Sequence, residues 1–178
     1  TSLEGIPEFD RYKTVVVLMS DLDALGSRLI DLMNWVQDGG SVLFAMTPQK
    51  TTYFDAISPK LGVLSSSWEY KTAESIVPAE EFMLGGGQRY EFSDPFQSSL
   101  SVSLREEATV YARTGDEGVP LVWGTKSGAG RVVVDNIGIY DKIMRGIYAA
   151  SFSLLCDAAA YPVINSAVFY LDDRSEER

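Results

Sequence analysis

The chain of 178 residues carries 15 basic and 25 acidic side chains, a formal charge of −10, and 46% hydrophobic residues, enough for about one domain that buries its own core without disulfides or metal. Nucleic acid and anionic membrane surfaces are excluded as partners. Arg11/Lys13, Lys142/Arg145 and Arg174/Arg178 are scattered, so no basic patch offsets the acidic field. Histidine is absent and cysteine occurs once, at Cys156, which removes Ser-His, Cys-His and His-rich metal chemistry together.

Residues 1–10 are polar and lack the basic start and apolar run of a signal peptide. With no initiator Met the chain reads as an excised fragment, and no apolar stretch reaches the ~20 residues of a membrane helix. Residues 14–20 form a β-branched apolar run of strand length, expected to be buried on both faces as in a parallel sheet. Asp23 is placed to cap a helix whose apolar positions are Leu25, Leu29, Leu32, Met33 and Val36, and Gly39-Gly40 stops it. Residues 41–46 read as the next parallel strand, broken by Thr47-Pro48, and 53–60 as a short helix closed by Pro59 and Gly62. Two such strands separated by one helix demand a right-handed crossover.

From 63 to 120 the character changes to serine runs, a Gly85-Gly86-Gly87 triplet and short alternating stretches at 100–104 and 108–112, which predict antiparallel, loop-rich structure. Residues 119–123 and 131–135 flank the glycine-rich segment 124–130 and read as a hairpin. Neither glycine cluster is a phosphate loop, because each leads into a strand and a phosphate loop must enter a helix N-terminus. A helix over 141–159, apolar on most sides, is expected to lie under cover, and a last strand over 163–171 ends at Asp172-Asp173. The expected fold is α/β, in three layers around a mostly parallel central sheet, with an antiparallel extension.

The order Tyr12-Lys13-Thr14-Val15-Val16-Val17, then Trp35-Val36-Gln37-Asp38-Gly39-Gly40, then Ser41-Val42-Leu43-Phe44-Ala45-Met46-Thr47-Pro48 resembles the class I glutamine amidotransferase-like (flavodoxin-like) superfamily. The resemblance covers about the first 60 residues plus the hairpin and helix of 122–155. It puts the family's nucleophilic Cys at or near Met46, whose thioether has no proton to lose, and its downstream glycine on or near Pro48. The family's His has no counterpart, so the departures imply no amidotransferase activity.

Pro162-Val163-Ile164-Asn165-Ser166-Ala167-Val168-Phe169-Tyr170-Leu171-Asp172-Asp173 resembles the opening of a polysaccharide deacetylase-type domain. By that resemblance Asp172 would be the base and Asp173 the metal ligand, in a longer protein that also supplies two histidines. A solvated strand end remains the plain reading of the pair. As a whole the chain resembles DUF2194, a bacterial family in which an amidotransferase-like domain, here 1–161, precedes a deacetylase-like domain, here begun or replaced by a tail at 162–178. That implies an adjacent catalytic domain in the same chain as partner, a carbohydrate context, an extracellular or cell-envelope location, and no cofactor in this fragment.

Two functional classes stay open. One is a non-catalytic accessory domain of a carbohydrate-processing protein. The other is a small-molecule or glycan-binding domain whose cleft lies at the carboxyl ends of the parallel strands, lined by Ser20, Asp21, Thr47, Gln49 and Asn136. Trp35 suits the core, whereas Trp68 and Tyr70, in a polar stretch, suit a sugar-stacking surface. Cys156 reads as a small core hydrophobe, and Glu80-Glu81 and Glu106-Glu107 as solvated faces.

Overall fold

The computed structural model describes residues 8–115, 118–139 and 144–156. Its elements are β1 (Thr14–Val17), α1 (Ser27–Gln37), β2 (Ser41–Phe44), α2 (Thr52–Ile57), β3 (Val63–Pro78), β4 (Tyr90–Leu104), β5 (Thr109–Thr114), β6 (Pro120–Ser127), β7 (Gly130–Asp135) and α3 (Arg145–Ser153). The seven strands form one sheet in the order β1-β2-β7-β6-β5-β3-β4.

β1 and β2 pair in parallel from Thr14↔Ser41 to Val17↔Phe44, as two apolar runs separated by one helix predict. β7 joins β2 in parallel, and every other pairing among the described strands is antiparallel. The sheet is therefore mixed and mostly antiparallel, which corrects the expected mostly parallel one. Connection length is the reason. β6 and β7 are joined by the two-residue turn Gly128-Ala129, too short for the dozen or more residues a parallel crossover needs.

The first strand is also less covered than its sequence suggests. β1 is an edge strand in which only Val17 is buried, and Val16 is 47% exposed. All four residues of β2 are buried because it lies between β1 and β7.

The start of α1 departs by one turn from the expected cap. It is Asp21, not Asp23, whose carboxylate accepts a backbone N–H, that of Asp23, at 3.1 Å, and it opens a 3₁₀ turn over Leu22–Leu25. Gly26, at φ +52, then separates that turn from the helix. Leu29, Leu32, Met33 and Val36 of α1 are buried at helical spacing. The helix ends against Gly40, where a Cβ would collide with the Trp35 indole.

Thr51 caps α2 by accepting from the Phe54 N–H, and Phe54 and Ile57 fill the same core as α1. This core includes Val42, Phe44, Val132, Val134 and Trp123, whose indole N–H donates to the Leu61 carbonyl at 2.8 Å. On the opposite face Leu43, Ala45, Leu121 and Val133 pack with Met144, Ile147 and Tyr148 of the α3 segment. Full burial of each large side chain contributes about 1.5–3 kcal/mol relative to exposure. α3 lies within the helix expected over 141–159, and its Phe152 is 41% exposed. The strand expected over 163–171, Asp172 and Asp173 lie outside the described residues.

Candidate functional site

Beyond their last ladder positions the three parallel strands stay tied by backbone bonds. Ala45 N–H donates to Val17 O, Gln49 N–H to Ser20 O at 2.8 Å, and Thr47 N–H to Ile137 O at 3.3 Å. The loops so held meet the flank of the β3–β4 hairpin in a cleft of about 380 Å³. Ser20, Thr47, Gln49, Lys50 and Gly138 line it from the strand ends, Trp68 and Tyr70 from β3, Gln97 and Ser98 from β4.

Thr47 Oγ1 and Ser98 Oγ are buried there with no hydrogen-bond partner among the described residues. A buried hydroxyl left unpaired costs about 1–3 kcal/mol, so a ligand that pairs it binds more tightly. Ser98 reaches the floor only because residue 138 is glycine, since a Cβ there would collide with the Ser98 hydroxyl. Trp68 is 71% exposed at the rim. The Lys50 ammonium lies 5.2 Å from the Trp68 ring centroid, 2.7 Å from Asp55 Oδ1 and 3.0 Å from Ser66 Oγ, while the Lys50 N–H donates to the Tyr70 hydroxyl at 3.3 Å.

Of the residues the sequence nominates for a cleft, the fold brings Ser20, Thr47 and Gln49 together. Two others have different work. Asp21 is exposed and occupied in capping the 3₁₀ turn. Asn136 is fully buried: its carboxamide oxygen accepts from Leu100 N–H at 2.8 Å, and its amide donates to Leu100 O at 2.8 Å and Pro120 O at 2.9 Å. It latches β4 onto the ends of β6 and β7, and so supports the wall bearing Gln97 and Ser98 without lining the cleft. Lys50, Gln97, Ser98 and Gly138 are not nominated by the sequence. Only the hairpin's position over the strand ends reveals them.

Met46 is half-buried at the bend just after β2. Cys156 borders a larger concavity, of about 1210 Å³, shared with Thr14 and Ser41 at the amino ends of β1 and β2, so the thiol is at the wrong end of the sheet to replace a nucleophile at 46. Glu8 and Cys156 on the rim of that concavity adjoin residues outside the described set, and open α/β sheets place ligands at the carboxyl ends of their strands, which favours the smaller cleft.

Asp135 ends β7 beneath α3. Burial pushes its carboxyl up to about 7, against a smaller opposing effect from Ser151, whose hydroxyl donates to Oδ1 at 2.6 Å. Oδ2 has no partner among the described residues.

The sequence profile of a family described as "Uncharacterised protein conserved in bacteria (DUF2194)" matches residues 2–103 and 92–176. No curated protein matches the chain. Cytoplasmic Protein STM3548 from Salmonella typhimurium is similar with a TM-score of 0.60 and 14% identity, over 86% of this chain and 75% of that one. Cytoplasmic Protein STM1381 from Salmonella typhimurium LT2 is similar at 0.58 and 13% identity, over 79% and 68%. The β-galactosidase from Rahnella sp. R3 is similar at 0.57 and 18% identity, over 83% of this chain and 23% of that one. These likenesses show a shared fold. The chain spans only 22–23% of the length of the glycosidases it matches.

Proposed function

The chain belongs to DUF2194, a family of uncharacterised proteins conserved in bacteria, and from that premise we propose that it is a non-catalytic, amidotransferase-like accessory domain of a carbohydrate-processing protein. Its cleft at the carboxyl ends of β1, β2 and β7 holds glycan. In this reading the parallel part is a flavodoxin-like core, α1 and α2 on one face and α3 on the other. The partner is a catalytic domain of the same protein, deacetylase-like, in which Asp172 serves as base and Asp173 as metal ligand.

The observation that carries the glycan reading is an exposed indole, Trp68, beside a floor with two unpaired hydroxyls, Thr47 Oγ1 and Ser98 Oγ. A sugar ring offers an apolar C–H face to an aromatic ring and hydroxyls that both donate and accept at its edges. Side chains of both kinds are at hand in the cleft. A domain of this fold within a larger glycosidase chain, as in the Rahnella β-galactosidase, supports the accessory role.

Calorimetric titration with a panel of neutral mono- to tetrasaccharides is the test. At least one should bind, and Trp68→Ala should weaken it tenfold or more, about 1.4 kcal/mol, with the circular dichroism spectrum unchanged. Equal affinity in the variant, or no binding across the panel, would remove the glycan assignment.

Glutamine hydrolysis should stay at background. Met46 offers no nucleophile and the chain offers no histidine base. Ammonia released from glutamine above the no-protein rate, and lost on Cys156→Ala, would show that the thiol acts after all.

A further inference from the structure

We propose that the cleft selects a neutral sugar and rejects its uronic-acid counterpart, an inference that rests on the glycan reading above. Lys50 is the one charged residue lining the cleft among the described residues, and its charge is already engaged. Asp55 Oδ1 stands 2.7 Å from the ammonium, Ser66 Oγ 3.0 Å, and the centroid of the Trp68 ring 5.2 Å. Two of the three ammonium N–H donors go to Asp55 and Ser66, and the nearby ring adds a further favourable neighbour for the charge. The side chain of Lys50 is 11% exposed, whereas that of Asp55 is 50% exposed, so the cation is held inward and its counter-charge faces solvent.

A carboxylate entering this cleft would lose its water beside a cation whose charge is already balanced. It would approach Asp55 as well, in a chain of formal charge −10. Desolvating an ion without a new partner is strongly unfavourable. The hydroxyl and amide groups of Thr47, Gln49, Gln97 and Ser98 instead both donate and accept, as sugar hydroxyls do. Trp68, 71% exposed at the rim, keeps indole surface free for the apolar face of a sugar ring beside the ammonium. A volume of about 380 Å³ lies at the small end of ligand pockets, near 300 Å³, which suits a chain terminus better than the middle of a polymer.

Matched pairs give the test: galactose against galacturonate, glucose against glucuronate, mannose against mannuronate, titrated calorimetrically into the wild-type chain and into Asp55→Asn. The neutral member of at least one pair should bind at least tenfold more tightly to wild type. Asp55→Asn, an exposed substitution that frees the ammonium, should narrow or invert that preference. Uronates binding wild type as tightly as the neutral sugars, or a preference unchanged by Asp55→Asn, would overturn the inference and leave the glycan reading standing. Failure of both series, together with failure of the longer neutral saccharides, would bring down the glycan reading itself.

Discussion

Replacing Asp135 by Asn is expected to abolish a fall in stability that the wild-type chain suffers between about pH 4 and pH 7. The carboxyl is buried under α3, with its ordinary value of 3.8 raised to about 7. Across that window the native state holds a proton that the unfolded chain releases, so stability decreases as pH rises. Below about pH 4 both states are protonated and the contribution of Asp135 is at its most favourable. Above about pH 7 both are ionised, and the native state carries the full penalty of a buried carboxylate. At 1.36 kcal/mol per pKa unit the difference is about 4 kcal/mol. Asp135→Asn removes the titration and keeps the acceptor for Ser151, at a cost of about 1–3 kcal/mol for its unpaired amide donors. Urea unfolding of both proteins from pH 4 to pH 8 should show the variant gaining on wild type by several kcal/mol as pH rises. Parallel curves would mean that Asp135 does not titrate in this range. Ser151→Ala, which removes the hydrogen bond that favours the charged form, should extend the window upward.

Asn136→Leu is expected to cost about 3–5 kcal/mol at any pH. The side chain satisfies three backbone groups at once, on β4 and at the start of β6, and a leucine would leave all three without their partner in a dry site. Against the 5–15 kcal/mol of a typical domain that is a large share. Denaturant unfolding gives the magnitude, and the cleft gives a second readout. Loosening β4 from the strand ends displaces Gln97 and Ser98, so sugar affinity should fall even under conditions where the variant stays folded. A loss under 1 kcal/mol would mean that β4 is held over the strand ends by packing alone.

Periodicity and turn chemistry revealed the local elements. β1, α1 and β2 follow from two apolar runs of strand length around Leu29, Leu32, Met33 and Val36, and the β6–β7 hairpin follows from glycines between apolar runs. Asp21 and Asp23 are equivalent cap candidates by pattern because both acids precede the helix, and only the positive φ of Gly26 decides where the helix starts. The sequence pattern overstates the proportion of parallel strands because partner choice is a tertiary property. β7 is a hairpin strand by its turn and a parallel strand by its other neighbour, and sequence showed only the first. For the site, the rule that ligands gather at the carboxyl ends of parallel strands nominates Ser20, Thr47 and Gln49, which the fold brings together in one cleft. It also nominates Asn136, whose amide is consumed by the backbone. Nothing local foretells that β4 crosses the strand ends, so Gln97 and Ser98 carry no sequence signal. Asp135 had one signal, an acid directly after Val132-Val133-Val134 in a strand covered on both faces.

The parallel seam between β2 and β7 joins Ser41 to Arg131, ninety positions apart, with α2 and every antiparallel strand from β3 to β6 inside the closed loop. Closing a loop of that length costs an entropy term of about 4 kcal/mol, whereas β6 and β7 meet across two residues. Hairpins of such low sequence separation are expected to assemble early and the seam late, since non-local pairing must meet its entropy cost before contacts reward it. The cleft stands on the ends of that seam, which makes the binding surface one of the last parts of the molecule to form during refolding.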